Sequence, residues 1–166
     1  MLKKIKREVL LPRVKLLLLA VLLLASCDGT LYHRFEQVDD AGWAATDTLQ
    51  FVYEGTDATF DGSAVELSLQ VRYAAAYKYK NLCMRVETFR VSDTTLLSID
   101  TLCCQMYSDD GRRLGSTAGT MYQNASNIVD IAASPSDTLL LRVVNIMPED
   151  CLPNVFDVGV RLAAKR

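Results

Sequence analysis

The sequence holds one histidine and one tryptophan, no stretch after residue 27 with apolar side chains at helical spacing, and no internal repeat of about 20–50 residues. Each shortage excludes a class. With a single imidazole no multi-histidine metal site can be built, and a histidine-dependent nucleophile would have to be assembled around His33. No nucleophile-elbow glycines accompany it, so His33 reads as a polar residue at the start of the first strand. Without helical periodicity, bundles and alternating α/β folds have no material. The chain calls for no catalytic group, no metal and no cofactor.

What is present begins with charge. Lys3, Lys4, Lys6, Arg7, Arg13 and Lys15 stand against Glu8 alone, and an apolar or small stretch from Leu16 to Ala25 follows. That is a signal peptide, because a permanent span needs about 20 apolar residues and this run ends at Cys27-Asp28-Gly29. Leu24-Ala25-Ser26-Cys27 resembles a lipobox, which implies cleavage before Cys27 and acylation of its thiol. The expected organisation is a signal peptide over 1–26, a lipidated tether over 27–31 and one domain over 32–166. Losing residues 1–26, six basic groups against one acid, takes the net charge from −2 to −7 and leaves 140 residues. That suffices for one core. An acidic surface argues against nucleic acid and against electrostatic attraction to anionic lipid.

Four cysteines remain: Cys83, Cys103, Cys104 and Cys151. They lack the dense spacing of a small secreted disulfide framework. Adjacent positions on a strand point to opposite faces, so Cys103 and Cys104 cannot easily share an ion or bridge each other. The expectation is buried free thiols, with a single disulfide as the alternative.

Period-two alternation runs through the exported part. Val65, Leu67, Leu69, Val71 and Tyr73 oppose Glu66, Ser68, Gln70 and Arg72; Leu49, Phe51 and Tyr53 oppose Thr48, Gln50 and Val52; Leu82, Met84 and Val86 oppose Cys83, Arg85 and Glu87. Leu102, Cys104 and Met106 form a further set ending at the Asp109-Asp110-Gly111 turn. Leu139, Leu141 and Val143, apolar on both sides, predict a central strand, and Val158, Val160 and Leu162 a closing one. Pro148 and Pro153 mark a loop with room for one helical turn. Seven to nine such strands predict an all-β antiparallel sandwich, jelly-roll-like or immunoglobulin-like.

Three groups are candidates for chemistry. The carboxylate pairs Asp39-Asp40 and Asp109-Asp110 invite a glycosidase reading, but each sits beside a glycine-bearing turn that selects Asp for backbone hydrogen bonds. Arg72, Tyr73, Tyr77, Tyr79 and Asn81 form the densest aromatic and polar cluster. On one exposed face they would suit a sugar or a protein partner; packed at the core margin they would be structural, as Trp43 is expected to be. Asp47-Thr48-Leu49, Asp100-Thr101-Leu102 and Asp137-Thr138-Leu139 look like a bacterial O-glycosylation sequon, making Thr48, Thr101 and Thr138 acceptors. A turn Asp before a β-prone Thr-Leu strand start explains them equally well.

Cys27, Gly42-Trp43 with Thr48 to Tyr53, Val71-Arg72 with Tyr77, Tyr79, Asn81 and Leu82, Asp100-Thr101-Leu102 before Gly111 and Gly115, Asn145-Ile146-Met147, Leu152, and Asp157-Val158-Gly159 occur in an order that resembles the gliding-motility lipoprotein GldH family. Arg112, Arg113 and Leu114 depart from it where an aromatic is usual, as does Pro148-Glu149 where a basic residue is commoner. The resemblance implies a non-enzymatic envelope lipoprotein, held to the membrane by its N-terminal lipid, that meets other envelope proteins as an accessory of gliding or secretion machinery. A lipid-tethered glycan-binding module is the second reading. No acidic cluster follows Cys27 to direct surface export, so the outer membrane's periplasmic face is expected.

Overall fold

The computed structural model describes residues 29–55 and 64–165. The segment expected as a signal peptide, and Cys27, lie outside the described residues. Twelve strands are described and no helix. They are β1 (Thr30–Gln37), β2 (Trp43–Ala44), β3 (Thr48–Tyr53), β4 (Val65–Ala74), β5 (Asn81–Arg90), β6 (Thr95–Gln105), β7 (Ser116–Ala118), β8 (Met121–Ala125), β9 (Val129–Ile131), β10 (Leu139–Asn145), β11 (Cys151–Leu152) and β12 (Val155–Ala164). β1 begins inside the stretch expected as tether.

One sheet runs β1-β12-β4-β8-β7, with β9 also pairing β4, and the other runs β3-β10-β5-β6. All pairings are antiparallel. The eight longer strands thus divide into two four-stranded layers, alternating along the chain except for the β5-β6 hairpin, in the order of a jelly roll, which decides between the two sandwich types left open by the sequence. The core is the alternation made solid. Val65, Leu67, Leu69, Val71 and Tyr73 face Phe51, Leu141, Val143, Val86 and Met84, all buried. β10 and β12 are central strands, each paired on both sides.

The sandwich has one closed side and one open side. At the closed side Cys104 bridges to Ser126, Ser126 Oγ accepts from Leu69 N at 3.0 Å, and Asn124 Nδ2 donates to Gln105 O. At the open side β1 and β3 are edges among the described residues, and the rings of Tyr32 and Tyr53 meet edge to face at 6.0 Å.

Two expectations need correction. Between Pro148 and Pro153 there is no helical turn: Cys151-Leu152 extends as β11 and pairs with Ala44-Trp43, because burying Leu152 against fully buried Trp43 rewards extension more than a proline-flanked turn of helix could. The free-thiol expectation also fails in part. Cys83 and Cys103 are directly opposed on β5 and β6 with Cα atoms 4.1 Å apart, and they form a disulfide. Cys104, on the opposite face of β6, is a buried free thiol, whereas Cys151 is free but exposed.

Candidate functional site

The end of the sandwich away from Thr30 is built by local chemistry. Asp39 caps a turn, its Oδ1 accepting from Ala41 N at 2.8 Å and its carbonyl from Gly42 N at 2.9 Å. Gly42 adopts φ of +120°, and a Cβ there would lie 2.8 Å from Leu152 O, so the chain can enter β2 this closely only through glycine. Trp43 Nε1 donates to Asp47 O at 3.3 Å. Asn145, buried at the end of β10, donates to Trp43 O at 3.1 Å and accepts from Met147 N at 2.8 Å. Buried amide groups persist only when paired in this way.

Two recesses flank the Gln37–Asp39 stretch here. The larger, about 390 Å³, is lined by Gln37, Asp39, Trp43, Thr46, Asp47 and Leu49 among others. The smaller, about 190 Å³, lies between Asp39-Asp40-Ala41 and Pro153 to Phe156. The first opens beside the start of β3, so an edge strand and a recess adjoin.

The five residues expected to form a binding face are separated. Strand alternation sends Arg72 to the outer face of its sheet, where its guanidinium stacks 3.8 Å from the Phe35 ring centroid, donates from Nε to Gln123 Oε1 at 3.1 Å, and lies 3.7 Å from Asp157. Gln70 accepts there from Gln123 at 3.1 Å and meets His33 Nε2 at 3.1 Å. Tyr73 and Tyr77 point inward and are fully buried, with ring centroids 5.6 Å apart. Tyr77 Oη donates to Asn81 O at 3.1 Å, and burial pushes its pKa far above the ordinary tyrosine value. Burial likewise raises that of Tyr73. Tyr79 is partly exposed, and its hydroxyl, hydrogen-bonded to the Glu149 carboxylate, is raised by that bond first; Lys78 pairs with the same carboxylate at 2.6 Å. A shared exposed face of tyrosines is therefore not formed.

Sequence reasoning missed Arg113. Its guanidinium lies 4.1 Å from the Tyr122 centroid, 5.0 Å from Tyr107 and 6.0 Å from Tyr73, and it donates to Ala75 O at 2.9 Å. A stacked guanidinium presents a flat delocalised surface, so it occupies the place where the resemblance led to an aromatic. The departure was the signal.

Asp109 pairs with Lys80, and Asp110 accepts from Ser108 Oγ and from Arg112 N at 3.2 Å. Those hydrogen bonds hold both carboxyls below the ordinary aspartate value, as turn carboxylates should be. Among the described residues no cluster of His, Cys, Asp and Glu is arranged to hold a metal. Thr48 and Thr101 are exposed, and Thr138 is half-buried with its carbonyl accepting from Val91 N at 2.9 Å. Thr48 opens β3 and Thr138 directly precedes β10, but Thr101 sits inside β6, so a turn explains only two of the three Asp-Thr-Leu sites.

A family model described as GldH lipoprotein matches residues 30–162. The chain belongs to the GldH lipoprotein family. Residues singled out above for that family, Gly42, Trp43, Asn145, Met147 and Leu152, meet at the end just described. Among curated proteins none matches the chain. Similar solved structures include a carbohydrate-binding module specific for non-crystalline cellulose, CBM28, at 6% identity and TM-score 0.39, covering 81% of this chain and 72% of that one. The Gt strain of infectious bursal disease virus gives 12% identity and TM-score 0.32 over 80% of this chain and 29% of that one. The CBM22-1–GH10 modules of Clostridium thermocellum endo-1,4-beta-D-xylanase 10B give 11% and 0.36, over 82% and 28%. The chain spans less than a third of the latter two.

Proposed function

We propose that this GldH-family lipoprotein is held by lipid on Cys27 to the periplasmic face of the outer membrane and acts without catalysis, docking another envelope protein of a gliding or secretion assembly onto the exposed edge of β3. The observation that carries the docking mode is an asymmetry between the two open edges. On β1, Arg34 and Glu36 pair with Val160 and Val158, whose side chains point into the core, and their 3.0 Å ion pair therefore stands on the inner side of that edge. Inward charge blocks strand addition. β3 pairs with β10 in unbroken register from Thr48 to Tyr53, without bulge, proline or lysine. Along Thr48 to Val52 the side turned away from β10 pairs with no other strand among the described residues, so it offers backbone groups to an extended segment of a partner, and the recess beside Leu49 offers a place for one of that segment's side chains.

Crosslinking in intact cells followed by purification from solubilised membranes tests this. The expected result is an envelope protein captured by the wild type and lost with Gln50→Lys, which places a gatekeeping charge on β3. Capture unaffected by that change, or no capture above background, refutes edge docking.

A further inference from the structure

The outer face of the β3-β10-β5-β6 sheet is graded along the strands. Val52, Leu140, Phe89 and Leu96 are aligned by register across all four strands. Val52 is 51% exposed and Leu96 45%, with Ile99 at 57% on the next outward row and Val91 at 49% in the β5–β6 turn. That next row otherwise holds Gln50, Arg142 and Glu87, and the one beyond it Thr48, Val144, Arg85 and Thr101. Exposed apolar side chains are concentrated at one end of the face, while toward the other the rows are mainly polar, with Val144 within one of them and Ile146, 43% exposed, just after β10.

The apolar end is the end where the chain enters the domain. Tyr53, next to Val52, packs on Tyr32, and Ala164 N donates to Gly29 O at 2.9 Å, so the first described residue lies at this end too. Only Asp28 separates Gly29 from Cys27. Fully extended, the residues from Cys27 to Tyr32 reach about 17 Å, so lipid on Cys27 would hold this corner against the headgroups.

We infer that the Val52–Leu140–Phe89–Leu96 row, with Val91 and Ile99, rests in the interfacial layer of the bilayer that holds the lipid, so that the domain is oriented on the membrane. The contact is apolar: an acidic domain gains nothing from anionic headgroups, and the row needs none. It fixes the opposite end, with its recesses, away from the bilayer and leaves the Thr48 end of β3 clear of it. This inference rests on the anchoring part of the reading above.

The test uses the full lipidated protein in phosphatidylcholine nanodiscs whose acyl chains carry bromine, a contact quencher of tryptophan emission. Trp43, fully buried at the far end, is a constant background. With Leu96→Trp the added emission should fall about twofold relative to unbrominated discs, as for a side chain within the interfacial layer. With Phe156→Trp, at an exposed position beside the smaller recess, it should not change. Unquenched Leu96→Trp emission in disc-bound protein overturns the inference, whether that residue is open to acrylamide or shielded by a second protein. Equal quenching at both positions overturns it as well. Loss of the anchor looks different: Cys27→Ser protein would then enter the discs as well as wild type.

Discussion

Gly159 provides the floor on which the ring of Phe35 lies. The two are directly opposed on β12 and β1, and a Cβ on Gly159 would come within 2.7 Å of two ring carbons. The ring covers what would otherwise be bare backbone in a central strand, and Arg72 covers the ring in turn at 3.8 Å. Gly159→Ala must displace Phe35, and overpacking of this kind costs about 1–3 kcal/mol. Urea denaturation should show that loss, and the double variant Gly159→Ala with Phe35→Ala should recover part of it. Additive losses would mean that ring and glycine do not interact.

The cysteines divide into three states, which differential alkylation separates. Cys151, exposed, should react with iodoacetamide in the folded protein. Cys104 should not, because burial pushes its thiol pKa up to about 12 and no thiolate forms at neutral pH. It should react once the unreduced chain is unfolded. Cys83 and Cys103 should react only after reduction. Their bond closes a loop with a separation of 20 residues, so replacing both with serine should lower stability by about 3 kcal/mol. A third alkylation site among these four cysteines in the unreduced, unfolded chain would count against the pairing.

The same alternation that reveals the strands sets the limit of what the sequence tells. It gives β4, β5, β10 and β12 nearly residue by residue, since one face of each is buried. It also implies that Arg72 and Tyr73 point apart, so a cluster drawn from neighbours in sequence dissolves once β4 forms. Pairing partners are another matter. That Cys83 faces Cys103 depends on the register of β5 with β6, and that Phe35 meets Gly159 depends on β1 closing on β12 across more than a hundred residues; neither register is written locally. Arg113 was visible only as a departure, because its role requires three tyrosines from three separate segments.

The tyrosines predict a particular response to alkali. Tyr32, Tyr73 and Tyr77 have folded pKa values raised mainly by burial, and Tyr79 by its bond to Glu149. A raised phenol stays protonated in the folded state where the unfolded chain has already ionised. Its contribution is thus complete below the unfolded value of about 10 and declines as pH climbs toward the folded value. Absorbance at about 295 nm should show a subset of the seven tyrosines ionising late, together with unfolding. Replacing Tyr77 with Phe should weaken the alkaline dependence while forfeiting the bond to Asn81 O. A single titration step for all tyrosines in folded protein would contradict the buried placement.

Thr101 separates the two accounts of the Asp-Thr-Leu pattern. It is exposed in mid-strand, where turn chemistry gives Asp100 no reason to precede it, so a glycan there would explain what the fold does not. Native protein from envelopes should exceed the mass of lipidated peptide by whole sugars, with Thr101→Ala and Thr48→Ala each removing one glycan. Thr138, half-buried beside Val91, should contribute least. A mass equal to peptide plus lipid would leave all three threonines as strand residues only.

Anchoring decides which of these surfaces ever meets a partner. Each buried methylene of an acyl chain contributes about 0.8 kcal/mol, so one chain binds reversibly and two or more bind durably. Among the described residues no helix is long and apolar enough to cross a membrane, and the apolar row is four residues wide. Cys27→Ser should therefore block acylation, leave the precursor unprocessed and move any matured domain from the detergent phase to the aqueous phase. Its disulfide and thermal stability should be unchanged, because residue 27 precedes the first strand. If the serine variant matured and partitioned like wild type, the apolar row would have to hold the domain alone, and edge docking at β3 would lose the fixed orientation that exposes it.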